Sequence, residues 1–556
     1  MSPLRSNFEP GTTPWAMRRA QWSAVGLTDE DMAKPKIAIV NTSSGLASCF
    51  SHLDGIVGPL KEAIHAAGGV PFEVRTAAPS DAITSAGQAG RYILPSRDLI
   101  VNDVEVAVEG AMLDGMVCLS SCDKTTPGHM MAAGRLDIPT IVVGCGYQPS
   151  GRYRGEEVDF EDIFLYAGHV ATGKMTVDEL AEMSACAVTG PGVCAGMGTA
   201  NSMHIAAEVL GMALPGSTPV LAGSASMWQA VADAGKRIVE LVAAGIRPRD
   251  ILAEGAFRNA VTAVLAISGS VNTLKHLQAV ATEAGKDVDV YALFEELAPR
   301  VPLLAAVKPN GERRIDEFEA AGGSLALMYQ LRSMLDLSQR SVAGRRLADD
   351  VGTATVADDD VIRPIDRPLA RHPGITIVKG SLAPEGAVVK RTVADDGLHR
   401  FSGPAKVFRS REEALAGIRG REVQPGQVIV LTGLGLRGAP GMGLTSAVVF
   451  ALDGAGLGEE VVVVTDGQMS GLVNKGLVVA EVSPEGAAGG PLGLVRDGDD
   501  ISVDIDSRTI ELHVPEAELE QRRTRQAPLT ASTGCGWLSV YARSVQPLTK
   551  GATLGE

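Results

Sequence analysis

Aromatic residues are only 4% of this 556-residue chain, against 64 glycines. A core built mainly from large rings is excluded, and many loops can approach a ligand closely. Positive charge is also short. With 50 Lys and Arg against 66 Asp and Glu the net charge is −16, and no Lys/Arg stripe interrupts the deficit, which argues against nucleic acid as a partner. No apolar run reaches the roughly 18 residues that cross a bilayer, and the start, MSPLRSNFEPGTTPW, lacks the apolar centre of a secretion signal. A cytoplasmic protein with no membrane partner is expected. Cysteine is sparse, with 7 in the chain. An odd number in a reducing compartment excludes a complete disulfide framework and favours metal-binding or buried thiols.

What is present is an alternation. From Lys36, short β-rich runs (KIAIVNTSS, PFEVRTAAPSD, DGMVCLSSCDK, TIVVGCG) alternate with amphipathic stretches, one of them a helix expected around 96–113. This is the pattern of βαβ units and a parallel sheet. Helix-rich sequence follows, around 178–187, 200–213, 226–245 and 256–282. At 556 residues more than one core is expected. The charged, proline-broken stretch 346–372 reads as a linker between an N-terminal α/β domain (1–345) and a C-terminal domain (373–556). The latter carries GITIVKGSL, GAVVKRTV, GPAKVF, GQVIVLTG, EVVVVTDG, GLVVAEV, DDISVDID and TIELHV, each bounded by Gly, Pro or Asp. A mainly β, barrel-like domain with one or two helices is expected.

The reactive residues fall at strand ends. Cys49 follows IAIVN, and Ser51 with Asp54 forms an S-x-x-D pattern that resembles a capping box. Asp81 follows FEVRT, and Cys122, Asp123 and Lys124 follow GMVCLS. In a parallel sheet such loops converge on one rim. Cys194, in GPGVCAGMGTANSM, precedes a helix whose positive end favours a thiolate. Three cysteines in pre-helix loops can hold an iron-sulfur cluster and leave one iron open for Lewis-acid chemistry. Each is equally a residue type common in cores. Asp81 and Asp123 offer hard oxygen ligands suited to Mg2+, or serve as solvated caps. Lys124 is a site residue or one side of a surface ion pair. Cys118, Cys186, Cys145 and Cys535 show no ligand pattern. Ser470, in VVVVTDGQMSG, does not fit the G-x-S-x-G elbow and so supports no hydrolase triad. GLGLRG (433–438) formally matches G-x-G-x-x-G, but AlaProGly at 439–441 stands where a helix would have to begin, which argues against a nicotinamide cofactor.

Nearly the whole chain resembles the dihydroxy-acid dehydratase and 6-phosphogluconate dehydratase family, which includes sugar-acid dehydratases. The resemblance runs through CDKTTPG (122–128), GVCAGMGTANSM (192–203), LGMALPGS (210–217), SGSVNT (268–273), RVPLLAAVKPNG (300–311), VKGSLAPEGAVVK (378–390), TDGQMSG (465–471) and VSPEGAAGGPLG (482–493). It implies a homo-oligomer and a cluster on Cys49, Cys122 and Cys194, [2Fe-2S] in many members, with [4Fe-4S] equally compatible with three cysteines. It further implies Mg2+ on Asp81 and Asp123, a carboxylated Lys124 as a further metal ligand, and Ser470 as proton acceptor.

The implied reaction dehydrates a 2,3-dihydroxy carboxylic acid to a 2-keto acid, as in branched-chain amino acid biosynthesis. The first substrate to expect is 2,3-dihydroxy-3-methylbutanoate, on SDAI and KTTPGHMMAA. NTSSGLASCFSH points to the alternative, a sugar-acid dehydratase. Three departures stand out. Leu444 occupies the place of a metal-ligating Glu in G-P-G-M-x-E, the P-C-N around the first cysteine is Ser48-Cys49-Phe50, and Gln468 replaces an arginine. These leave open a cluster-binding paralogue with weak catalysis.

Overall fold

Between Lys36 and Asn41 lie only Ile, Ala and Val, and in the computed structural model this run is a strand buried along its whole length (β1, Lys36–Asn41). The structure describes residues 4–555, apart from 86, 171, 391–397, 440, 472, 474, 526–528 and 530–533. β2 (Val70–Arg75), β3 (Gly115–Ser120) and β4 (Thr140–Gly144) join β1 in a parallel sheet of order β2-β1-β3-β4. β1, β3 and β4 are buried on both faces, which is why they read as continuous apolar runs rather than alternating ones. Helix Ala225–Ala244 packs on helix Leu53–Ala66 through Gly235, where a Cβ would come 2.6 Å from that of Ala63.

A small hairpin, β5 (Gly151–Tyr153) and β6 (Glu156–Val158), follows. The second half contains β7 (Ile375–Val378), β8 (Gly386–Lys390), β9 (Arg400–Phe408), β10 (Val428–Leu431), β11 (Val462–Thr465), β12 (Leu477–Ser483), β13 (Asp500–Asp504) and β14 (Thr509–Leu512). Each falls on one of the eight runs expected, although residues 391–393 of GAVVKRTV lie outside the described residues. The sheet order is β14-β13-β9-β10-β11-β12-β8-β7, and a bridge between Lys379 and Thr509 joins its ends into a barrel. β9, β10, β11 and β12 run parallel, so the loops after them share one rim, as do those of the first sheet.

The sequence expectations depart from the structure in four places. Residues 256–282 are two helices, Glu254–Ala266 and Thr273–Glu283. Ser268 adopts φ 47° and Gly269 N donates back to Val264 O (2.9 Å), closing the first helix within SGSVNT. The capping box at Ser51 is absent. Helix Leu53–Ala66 starts after His52 with no side-chain cap, and Asp54 Oδ1 instead accepts from Asn41 Nδ2 (3.0 Å) and Arg75 (2.8 Å). The helix expected around 96–113 spans Ile93–Val104 and continues as a π-turn to Glu109. The C-terminal half carries four α-helices among the described residues, not one or two: Arg411–Arg419, Ser446–Gly454, Glu516–Arg525 and Trp537–Ser544.

Residues 346–372 lie against the first half. They include helix Leu347–Val351, the buried Val361 and Ile362, and Arg363 and Leu369, whose amides donate to Leu304 O and Leu303 O. No described helix is long and apolar enough to cross a membrane.

Candidate active site

Four loops of the first half and one rim of the barrel enclose a cavity of about 280 Å3. All seven residues singled out from the sequence line it, namely Cys49, Asp81, Cys122, Asp123, Lys124, Cys194 and Ser470, and so do Leu444 and Gln468. Cys49 hangs from the loop after β1, Asp81 opens the short helix Asp81–Thr84 after β2, and Cys122 to Lys124 lie between β3 and helix Thr125–Leu136. The Cys194 loop is stitched to the chain beyond β4, where Gln148 N donates to Val193 O (2.8 Å) and Val193 N to Gly146 O (2.9 Å). Gly192 is required there. Its φ is 118°, and a Cβ would come 2.5 Å from the Tyr147 carbonyl carbon. Asn201, on helix Thr199–Val209, donates from Nδ2 to Cys194 O (2.9 Å) and Gly196 O (2.8 Å), fixing the same loop from its other side.

The donors are short of positive charge. Among the described lining residues Lys124 is the only cation. It is buried, not a surface residue, and its Nζ donates to Asp81 Oδ2 at 2.8 Å. Burial alone would lower its pKa, but Asp81 and Asp123 together raise it. Asp123 Oδ1 accepts from Ala200 N (3.0 Å) at the positive end of helix Thr199–Val209. Even so its carboxyl is pushed up to about 6, by burial and by Asp81.

The Cys122 thiol is raised well above its ordinary value by its contact with Cys49 and by burial, and that of Cys194 by burial and by Asp123 and Glu161. Burial and the neighbouring carboxylates thus act on Cys194 against the thiolate that the helix end was expected to favour. Asp81 Oδ1 is buried and has no hydrogen-bond partner among the described residues. Three thiols, two carboxylates and one unpartnered carboxylate oxygen are a donor set that a cation completes. The three sulfurs do not all lie within 4.8 Å of one another, which disfavours a single tetrahedral ion and suits a polynuclear centre; among the described residues only the exposed Asp358, Asp359 and Asp360 form so tight a group.

The barrel supplies the opposite wall. Ser470 follows β11, and its amide donates to Ser446 Oγ (2.9 Å). Gly471 sits so close to the first half that a Cβ would come 2.4 Å from Ser270 Oγ, and the buried Lys390, from β8, donates to Gly471 O (2.6 Å).

Several residues near the site drew no reading from the sequence. Asn272 lines the cavity and donates from Nδ2 to Thr199 Oγ1 (3.0 Å) and Met469 O (3.3 Å), clamping the Ser470 loop to the Cys194 side. Its Oδ1 accepts from Lys275, which also forms a fully buried ion pair with Glu481 of β12. Glu481 stands at a bulge in β12 with φ 57°, a backbone turn that aims its side chain out of the barrel towards Lys275. Glu161 packs so closely on the Cys194 loop that a Cβ at Gly196 would come 1.4 Å from its Oε1, and a side chain there would have to displace the Glu161 carboxylate. The break between two helices inside SGSVNT was the one available signal for Asn272. The amides of GLGLRG that a dinucleotide phosphate would need are occupied, those of Gly433 and Leu434 by Asp466 and those of Arg437 and Gly438 by Glu485.

An α/β half presents the thiols and carboxylates and a barrel half closes over them with a serine, and by its family the chain is an enzyme of the hydro-lyase class. The chain belongs to the dihydroxy-acid/6-phosphogluconate dehydratase family. Residues 34–350 match the model of its N-terminal domain and 360–552 that of its C-terminal domain. Similar curated proteins include the dihydroxy-acid dehydratases of Moorella thermoacetica (41% identical over 97% of this chain and 98% of the relative), Ignicoccus hospitalis (39%, over 97% and 98%) and Aquifex aeolicus (38%, over 97% and 97%).

Proposed function

We propose that this cavity removes water from a 2,3-dihydroxy carboxylic acid to give a 2-keto acid, in the cytoplasm and as a homo-oligomer. The observation that carries the proposal is the convergence of three thiols, two carboxylates, a buried lysine and Ser470 from both halves on one enclosed space. Cys49, Cys122 and Cys194 would hold an iron-sulfur cluster, [2Fe-2S] first and [4Fe-4S] as the alternative, and Asp81, Asp123 and Lys124 (carboxylated) a Mg2+ ion. When bound, these groups supply Lewis-acid polarisation of the leaving hydroxyl and of the carboxylate end of the substrate.

The protein's own part is orientation and proton transfer. Ser470 Oγ, as its alkoxide, would take the C2 proton; the C–O bond breaks with its electron pair going to the 3-hydroxyl, which leaves as water with the proton that Ser470 returns, and the enol that results tautomerises to the 2-keto acid. Ser446, Lys390 and Asn272 hold the backbone on either side of that hydroxyl. Phe160, Phe164, Val188, Val193 and Leu444 form an apolar wall that excludes water and suits an alkyl end. For this reason 2,3-dihydroxy-3-methylbutanoate ranks ahead of an aldonate, whose further hydroxyls would face that wall unpaired.

Leu444 supports a second reading, a cluster-bearing paralogue with weak catalysis, because an apolar side chain lines the cavity where a carboxylate ligand is expected. Anaerobically purified protein, with Mg2+ and full iron and sulfide content, separates the readings when offered the branched-chain acid and a panel of aldonates. Formation of 2-keto acid supports dehydration, and its absence with every substrate supports the paralogue.

A further inference from the structure

Four side-chain amides stand among the described residues that line the cavity, and three of them are engaged by the protein. Asn201 holds the carbonyls of Cys194 and Gly196, Asn272 holds that of Met469, and Gln468 Nε2 donates to Met442 O (3.2 Å). Gln148 is the exception. It is only 3% exposed, its Nε2 is buried without a hydrogen-bond partner, and its Oε1 accepts from no described residue. Unlike Nε2, Oε1 is not sealed off, so the tip of the side chain borders the open space. With no hydrogen bond to fix it, a half-turn of the amide presents either an acceptor or a donor there.

The backbone sets where this amide stands. Tyr147 N donates to Val220 O (2.9 Å) and Gln148 N to Val193 O (2.8 Å), and Ser150 bridges Val188. Gln148 is thereby placed beside Val188 and Val193, in the wall that is otherwise apolar. An unpaired amide in such a wall costs free energy that an oxygen of the bound acid would recover, whereas an apolar side chain of the same length carries no such cost. One amide pairs one oxygen, not the several of an aldonate.

We infer that Gln148 determines specificity in this cavity, and that the acid it selects is a branched 2,3-dihydroxy acid bearing one further hydroxyl at the end of its alkyl branch. The hydroxyl donates to Oε1 or accepts from Nε2. This rests on the dehydration reading for the carboxylate and the two hydroxyls held opposite.

Two isosteric acids test it on the anaerobic protein with Mg2+ and full iron and sulfide content. They are 2,3,4-trihydroxy-3-methylbutanoate and 2,3-dihydroxy-3-methylpentanoate, which differ by a hydroxyl in place of a terminal methyl. Binding is followed by calorimetry, and 2-keto acid formation in parallel. The parent should favour the hydroxyl-bearing acid about tenfold in Kd and in kcat/KM. Gln148→Met, which keeps the length of the side chain, should bring both ratios to one or below. Should that variant unfold at a lower temperature than the parent, the parent ratio alone decides.

Equal affinity of the parent for the two acids, binding of neither, or a preference that Gln148→Met leaves intact would overturn the inference. So would an altered visible absorption in Gln148→Met with the ratios unchanged, which would assign the amide to the cluster instead. A binding preference that Gln148→Met abolishes, with no 2-keto acid from either compound, would support the inference and contradict dehydration.

Discussion

The two halves of the molecule build their rims by the same rule, loops at the carboxyl ends of parallel strands, yet use them differently. The α/β half buries thiols and carboxylates together: burial first and neighbouring acids second raise Asp123 and Cys194, and the contact with Cys49 together with burial raises Cys122. The barrel half contributes no charged side chain to the first cavity among the described residues, only Ser470, Gln468 and Leu444. On the proposed assignment, ligand-holding and proton transfer would be separated by domain, with Leu444 and Gln468 in the half that would not hold the cluster. A barrel rim can therefore change without dismantling the donor set opposite it.

The largest effect expected breaks the first half. Cys122→Ser should abolish the visible absorption and iron content of the anaerobic protein, and all turnover with them; unchanged absorption would remove Cys122 from the ligand set. Breaking the second half should leave the cluster intact, so that Ser470→Ala lowers kcat by about 10^2 to 10^4.

The seam between the halves comes next. Lys275→Met strands Glu481 as an unpaired buried charge and should cost about 3–5 kcal/mol of stability by chemical denaturation. Removing both charges with Lys275→Met and Glu481→Leu should restore much of it, and a double variant as weak as the single one would show that the pair is not coupled.

A smaller effect sharpens the contrast at the barrel rim. Leu444→Glu adds a hard ligand and should tighten Mg2+ binding by about tenfold in a titration of activity; no change would show that this side chain does not face the metal. The smallest effect concerns Glu208, buried behind the Cys194 side, whose carboxyl burial pushes up to about 7. A raised carboxyl stabilises the fold fully below its unfolded value of 4.5 and loses that contribution as pH rises through 7. Glu208→Gln should flatten the fall in Tm between about pH 5 and pH 8. An unaltered slope would locate the pH dependence elsewhere.

Much of this was legible in the sequence because the physics was local. Eight Val/Ile-rich runs bounded by turn residues became eight barrel strands, and residues placed just beyond strand ends arrived together because parallel sheets gather those ends. Where the physics was not local the sequence misled. The break at 267–272 interrupts an apolar pattern that carries on regardless, and Asp54 looks like a cap but meets Arg75 from a neighbouring strand. Lys275 and Glu481 are 206 residues apart, and a lysine among helical residues reads as exposed until its partner is seen. For Cys194 the helix end was visible in the sequence, but the burial and the carboxylates that act against it were not.

The division of labour between the halves is tested most directly by assaying Ser470→Ala and Cys122→Ser side by side, measuring iron content, visible absorption and 2-keto acid formation on the same anaerobic preparations. The account predicts that Ser470→Ala keeps its iron and absorption while turnover collapses, and that Cys122→Ser loses all three. Turnover by Ser470→Ala at the parent rate, or loss of its cluster, would contradict it.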